Sequence, residues 1–210
     1  MAVKESADRI CYVLYPFDGL GEWIEQAAQQ FGISIAVITG MNWDDDLTPW
    51  PSAGVPRGCP DFGGNASAFL TRITSEVVPA IERRLGLPAG IERSLAGVSL
   101  SGLFTLWQWL LNDTFKNVIC LSGSFWYAGF VDWVKAQPLP KKCGRAYFLL
   151  GREEAKAKVK AFQSVQTDTT EIVDYLREMG IDDCFELVPG NHYQYGLQRL
   201  SRAFSWMFSR

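Results

Sequence analysis

The 210-residue chain is 48% hydrophobic and carries five cysteines, one histidine and a net charge of −3. That length suits one packed core, and the intermixed charges offer no basic face to nucleic acid or to an anionic membrane. No apolar run reaches the roughly 18 residues of a bilayer span, the charged start MAVKESADR lacks a signal peptide's apolar region, and scattered cysteines without C-x-x-C suit a reduced, cytoplasmic protein with no metal site.

Ile10–Tyr15 reads as a buried strand, followed by a turn over Pro16–Gly21 and a helix over Glu22–Phe31. Ser34–Thr39 is the second strand. Gly40–Gly64 is rich in Pro, Gly, Asp and Trp and shows no period. Loops that long are functional or disordered, and Trp43, Trp50 and Phe62 argue for order, so this one is expected to close over a sheet edge as one wall of a pocket. A long amphipathic helix starts at Asn65, with Phe69, Ile73, Val77, Ile81 and Leu85 on one side and a kink expected at Pro79. Ser94–Val98 is a short apolar strand running into a helix that is apolar on nearly every side. Asn117–Leu121 is a strand, Ala128–Ala136 a short helix, and Arg145–Leu150 a strand ending at Gly151. Asp168–Met179 is a helix with Asp168 as its cap and Gly180 as its stop. Cys184–Val188 is the last strand and Leu197–Phe208 the last helix.

Six strands alternating with six helices imply right-handed βαβ units. The expected fold is a three-layer α/β fold, a mostly parallel sheet with helices on both faces, forming a single domain over 1–210. Ligands of such sheets bind at the carboxyl ends of the strands. Gly97-Val98-Ser99-Leu100-Ser101-Gly102 lies at one such end and reads as a nucleophile elbow, with Ser101 in place of the second glycine of G-x-S-x-G. His192 follows the last strand, and Glu153 and Glu154 follow the fifth, so that serine, acid and histidine meet at one edge in the chain order of the α/β-hydrolases. Two N–H donors are needed for an oxyanion: Leu100 supplies one, and the loop after the first strand, near Asp18 or Gly19, the other. Trp126 and Trp50 are expected to line the pocket. Gly19-Leu20-Gly21 lacks the third glycine and the acidic partner of a dinucleotide fingerprint. Asp44–Asp46 lack the spacing of a calcium loop and read as a solvated turn.

The segments Leu14–Gly19, Asp46–Trp50, Gly97–Gly102, Ser122–Trp126, Gly151–Glu154 and Pro189–His192 together resemble the esterase family of α/β-hydrolases that includes enterochelin (siderophore) esterases, esterase D-like enzymes and feruloyl-esterase-type domains. The resemblance runs from Cys11 to Phe208 and implies Ser99 as nucleophile, His192 as base and Glu154, rather than Glu153, as the acid. It implies a serine esterase acting on a small-molecule ester without a cofactor, with a homodimer among the expected states. Two departures stand out: Ser101 in the elbow, and Arg152 where many relatives carry an aspartate. The chain begins at the strand read as the first, so it is expected to lack the preceding strands or domain that relatives use in substrate recognition. The competing reading is a non-catalytic hydrolase-fold protein that binds a ligand or partner. A serine peptidase would keep the same three residues.

Overall fold

A computed structural model describes residues 8–14, 20–137 and 144–209. Six strands, β1 (Arg9–Leu14), β2 (Ser34–Val37), β3 (Glu92–Val98), β4 (Asn117–Leu121), β5 (Arg145–Gly151) and β6 (Asp182–Val188), form one sheet in the order β2-β1-β3-β4-β5-β6. Every neighbouring pair is parallel. Each strand is short and apolar because both its faces are covered, and the period of two divides the residues between the layers. Ile10, Tyr12 and Leu14 of β1 face one core, and Cys11 and Val13 face the other. Val118 and Cys120 of β4, and Ala146 and Phe148 of β5, follow the first set; Ile119, Leu121, Tyr147 and Leu149 follow the second.

The second core is closed by α1 (Leu20–Phe31) and α8 (Gly196–Phe208), where Phe31, Phe204 and Phe208 meet edge to face or tilted. On the opposite face lie α3 (Ala66–Arg72), α4 (Val78–Leu85), α5 (Leu100–Leu111), α6 (Phe130–Ala136) and α7 (Val165–Glu178). Central α5 explains its own composition: eleven of its twelve residues are buried, so no polar face was needed. Burying one of its large side chains contributes roughly 1.5–3 kcal/mol.

Two local expectations change, and the helix expected to kink at Pro79 carries an irregular turn there. Between α3 and α4 the helix continues through a π-helical turn, Ile73–Val77, in which the Val78 N–H reaches five residues back to the Ile73 carbonyl. The wider turn takes up Pro79, which has no N–H to give and whose ring crowds the preceding turn. Asp168 does not cap α7. The helix starts three residues earlier, at Val165, and Asp168 accepts the Ser164 hydroxyl at 2.6 Å from its first turn. Trp43–Asp46 form one helical turn, α2, rather than an irregular loop. There Asp46 accepts the Asn42 N–H at 3.0 Å and pairs with Arg72 at 3.2 Å. Among the described residues no helix is long and apolar enough to cross a membrane, and Cys11, Cys59, Cys120 and Cys184 are free thiols.

Candidate active site

Ser99 sits between β3 and α5 at φ 57° and ψ −125°, a conformation that side chains rarely adopt. Such strain costs of order 1–3 kcal/mol and persists only where neighbours enforce it. Here they do. The Ser99 N–H donates to the Leu121 carbonyl at 3.1 Å, and its own carbonyl accepts the Leu103 and Ser124 N–H groups at 3.0 Å each. Small neighbours are a steric requirement: a Cβ on Gly97 would lie 2.2 Å from the Ser101 carbonyl oxygen, and one on Gly102 would lie 3.0 Å from Gly123 Cα.

Ser101, the departure from the glycine pattern, leaves the turn intact and adds an anchor. Fully buried, its hydroxyl accepts the Val98 N–H at 2.8 Å and donates to the Leu14 carbonyl at 2.7 Å. These backbone groups stand where the β1–β3 ladder ends, and the hydroxyl pairs what the ladder no longer can.

The carboxyl ends of β3, β4, β5 and β6 converge on Ser99. His192, in the loop after β6, brings Nε2 to 3.1 Å from Ser99 Oγ, and its Nδ1 lies 2.8 Å from Glu154 Oε2. Glu154 opens a single 3-10 turn, Glu154–Lys156, beyond β5, which folds its side chain back over the strand end. Its Oε1 accepts the Gly151 N–H at 2.7 Å, the Ser122 hydroxyl at 2.7 Å and Arg199 Nη1 at 2.8 Å. Burial pushes the Glu154 carboxyl up, but the hydrogen bond and charge of His192, with the Ser122 and Gly151 donors, outweigh it and hold the group below the usual carboxylate range. The structure thus brings Ser99, His192 and Glu154 together, while Glu153 and Arg152 are exposed. Leu100 is the first residue of α5, where N–H groups have no intrahelical acceptor. Asp18 and Gly19 lie outside the described residues.

Above this trio opens a pocket of about 170 Å³, lined by Ser99, Ser124, Trp126, Phe162, Val165 and His192 among others. Trp126 is in the wall as expected; Trp50 is not. Its indole donates to the Ala128 carbonyl at 3.0 Å and its ring packs on Tyr127, Phe130 and Trp133, so it backs the wall from behind. Residues 40–64 likewise supply no lining residue. Their Leu47 and Phe62 are buried, and Ser52 and Phe62 pair antiparallel, so the segment belongs to the core beside α5 and α6. The facing wall is instead the stretch from Ala157 to Val165, whose Phe162 lies 4.6 Å from Trp126, centroid to centroid. A lone aromatic in the lysine-rich run 152–164 was the signal available in the sequence.

That placement yields a prediction. Phe162→Ala should shift acyl-ester preference toward bulkier groups by about tenfold in the ratio of kcat/KM values, since pocket-filling differences of this size discriminate by 1–3 kcal/mol. Phe62→Ala should instead lower the melting temperature and leave that ratio unchanged. An unaltered ratio in Phe162→Ala would show that the acyl group binds elsewhere.

A protein of Bacillus subtilis (strain 168) described as "Uncharacterized protein YbbA" is 27% identical over 199 residues, covering 90% of this chain and 80% of its own length. Among solved structures, an IroE-like serine hydrolase from Shewanella oneidensis superposes with a TM-score of 0.79 at 19% identity, over 97% of this chain and 71% of that one. The siderophore hydrolase EstB from Aspergillus nidulans gives 0.76 at 21% identity, over 99% and 85%. These likenesses establish the α/β-hydrolase fold. The family described as "Putative esterase" matches residues 6–206, and the chain belongs to it.

Proposed function

We propose that the chain hydrolyses a small-molecule carboxylic ester through an acyl-serine intermediate, with Ser99 as nucleophile, His192 as general base and acid, and Glu154 as the group that orients and stabilises the imidazolium. The observation that carries this reading is the unbroken hydrogen-bond chain Ser99–His192–Glu154 at the floor of the pocket. As Ser99 Oγ attacks the ester carbonyl, its proton passes to His192 Nε2. The tetrahedral oxyanion is met by the Leu100 N–H and by a donor from the loop carrying Asp18 and Gly19. His192 then gives its proton to the departing alcohol oxygen, and a water activated by the same imidazole hydrolyses the acyl-serine. No cofactor enters this scheme. The Ser101 hydroxyl, bonded to the Val98 N–H of the elbow and the Leu14 carbonyl of β1, is compatible with the catalytic reading.

A fluorophosphonate probe followed by peptide mapping tests the assignment, with a panel of p-nitrophenyl esters, a siderophore ester and peptide amides alongside. One adduct at Ser99 and turnover of esters above amides are expected. Modification of Ser101, Ser122 or Ser124 in its place would overturn the nucleophile, and faster amide cleavage would make the enzyme a peptidase.

A further inference from the structure

We propose that Arg199 is a positioning residue for this reaction: its buried guanidinium clamps the acid and the histidine loop into one fixed arrangement. The inference rests on the Ser99–His192–Glu154 reading. Arg199 projects from the first turn of α8 and is 4% exposed. Its Nη1 donates to Glu154 Oε1 and to Ser122 Oγ, both at 2.8 Å. Its Nη2 donates to the carbonyl of Asn191, the residue before His192, also at 2.8 Å. A guanidinium is a rigid plane, so these contacts fix the distance between the carboxylate and the loop that carries the imidazole. An ammonium is a single point and cannot serve both sides.

The surroundings are shaped to admit this group. A Cβ on Gly151 would fall 2.4 Å from Arg199 Nη2 and 2.3 Å from the Gly190 carbonyl, so the strand end is bare where the guanidinium passes. Among the described residues Nε finds no partner although it is buried, so the side chain is placed for the contacts at its tip. With Ser122, Gly151 and Arg199 all donating to Oε1, the carboxylate cannot rotate, and Oε2 is left for His192 Nδ1.

The charge has a second consequence. Among the described residues two cationic groups face Glu154: Arg199 from α8 and, when protonated, His192 from the β6–α8 loop. Ser122 from the loop after β4 and the Gly151 N–H from β5 are neutral donors. His192 is neutral at the start of each cycle, when it must accept the serine proton, and Arg199 then remains to keep the buried carboxylate ionised. Without it only the neutral Ser122 and Gly151 donors would remain on Oε1 in that state.

The test compares kcat, KM and their pH profiles for the wild type, Arg199→Met, Arg199→Lys, Glu154→Gln and the double variant Glu154→Gln/Arg199→Met. The substrate is a p-nitrophenyl ester that the wild type turns over, and fluorophosphonate titration counts active sites. Arg199→Met should lower kcat by about 10- to 100-fold, the range that partners of site residues command elsewhere. KM should stay within about threefold, and the acid limb should move to higher pH. Arg199→Lys should fall between the two. The double variant should be no worse than Glu154→Gln alone within about threefold, because the two act as one unit. Wild-type kcat and pH profile in Arg199→Met, or a loss that multiplies that of Glu154→Gln, would overturn the proposal. If Arg199→Met does not fold, Arg199→Lys decides by the same criteria. Should Glu154→Gln itself keep full turnover, the acid assignment has failed. Should Glu154→Gln be crippled while both Arg199 variants are not, only the role of Arg199 has failed.

Discussion

Replacing Ser99 with alanine is expected to lower ester turnover by about a thousandfold or more, leaving only what binding and oxyanion stabilisation supply. The fold should survive, for a structural reason. Alanine carries the same Cβ as serine, so the strain at φ 57° is unchanged, and the backbone bonds from Ser99 to Leu121, Leu103 and Ser124 do not involve the hydroxyl. Among the described residues only the contacts to His192 at 3.1 Å and Ser124 at 3.3 Å are lost, at the floor of a solvent-accessible pocket. Ser101→Ala provides the contrast. Its hydroxyl is fully buried and pairs two backbone groups, so removing it should destabilise by about 1–3 kcal/mol and spare the chemistry. Melting curves and kcat for the two variants decide between them. A folded Ser101→Ala without turnover beside an active Ser99→Ala would mean that the elbow is placed wrongly.

How much of this was legible in the sequence depends on whether a feature is local. The elbow is local: Gly97, Ser99 and Gly102 announce it because the turn excludes side chains within a few residues of itself. His192 was legible by elimination, as the sole histidine in a loop at the right strand end. The sheet order was not, and it misled the reading of residues 40–64. With β2 at the edge and β1 between it and β3, a loop leaving β2 starts two strands, roughly 10 Å, away from Ser99. Strands β4, β5 and β6 instead follow β3 in order, so the walls come from Trp126 and Phe162 in the loops after β4 and β5. Arg199 was invisible for another reason. In Gln198-Arg199-Leu200-Ser201-Arg202 it reads as one of two exposed arginines on an amphipathic helix; Arg202 does pair with Glu186 at the surface, while Arg199 turns inward to an acid that lies 45 residues away in sequence.

The choice between Glu153 and Glu154 could not be read from adjacent identical residues, because a 3-10 turn of three residues makes it, and that turn leads to the second large effect. Glu154→Gln should lower turnover by about a thousandfold or more, and Glu153→Gln by no more than about twofold. The glutamine amide is almost the same shape as the carboxylate, and its oxygen can take the place of Oε1, where three donors converge. Its NH2 then faces His192 Nδ1, which must accept rather than donate. The imidazole proton is forced onto Nε2, which now donates to Ser99 and cannot take its proton. Turning the amide over would set NH2 against three donors, including a guanidinium, at far greater cost. Acid stability should follow the same residue. Because the folded Glu154 carboxyl is held below its usual range, its contribution is present above the ordinary carboxylate pKa and is lost as the pH falls through the lowered folded value. The melting-temperature advantage of the wild type over Glu154→Gln should therefore shrink on acidification and vanish once the carboxyl is protonated. Kinetics and melts of the two single variants and their double separate the outcomes. Crippling by Glu153→Gln would exchange the roles of the two carboxylates, and full turnover in both would leave Ser99 and His192 working as a dyad.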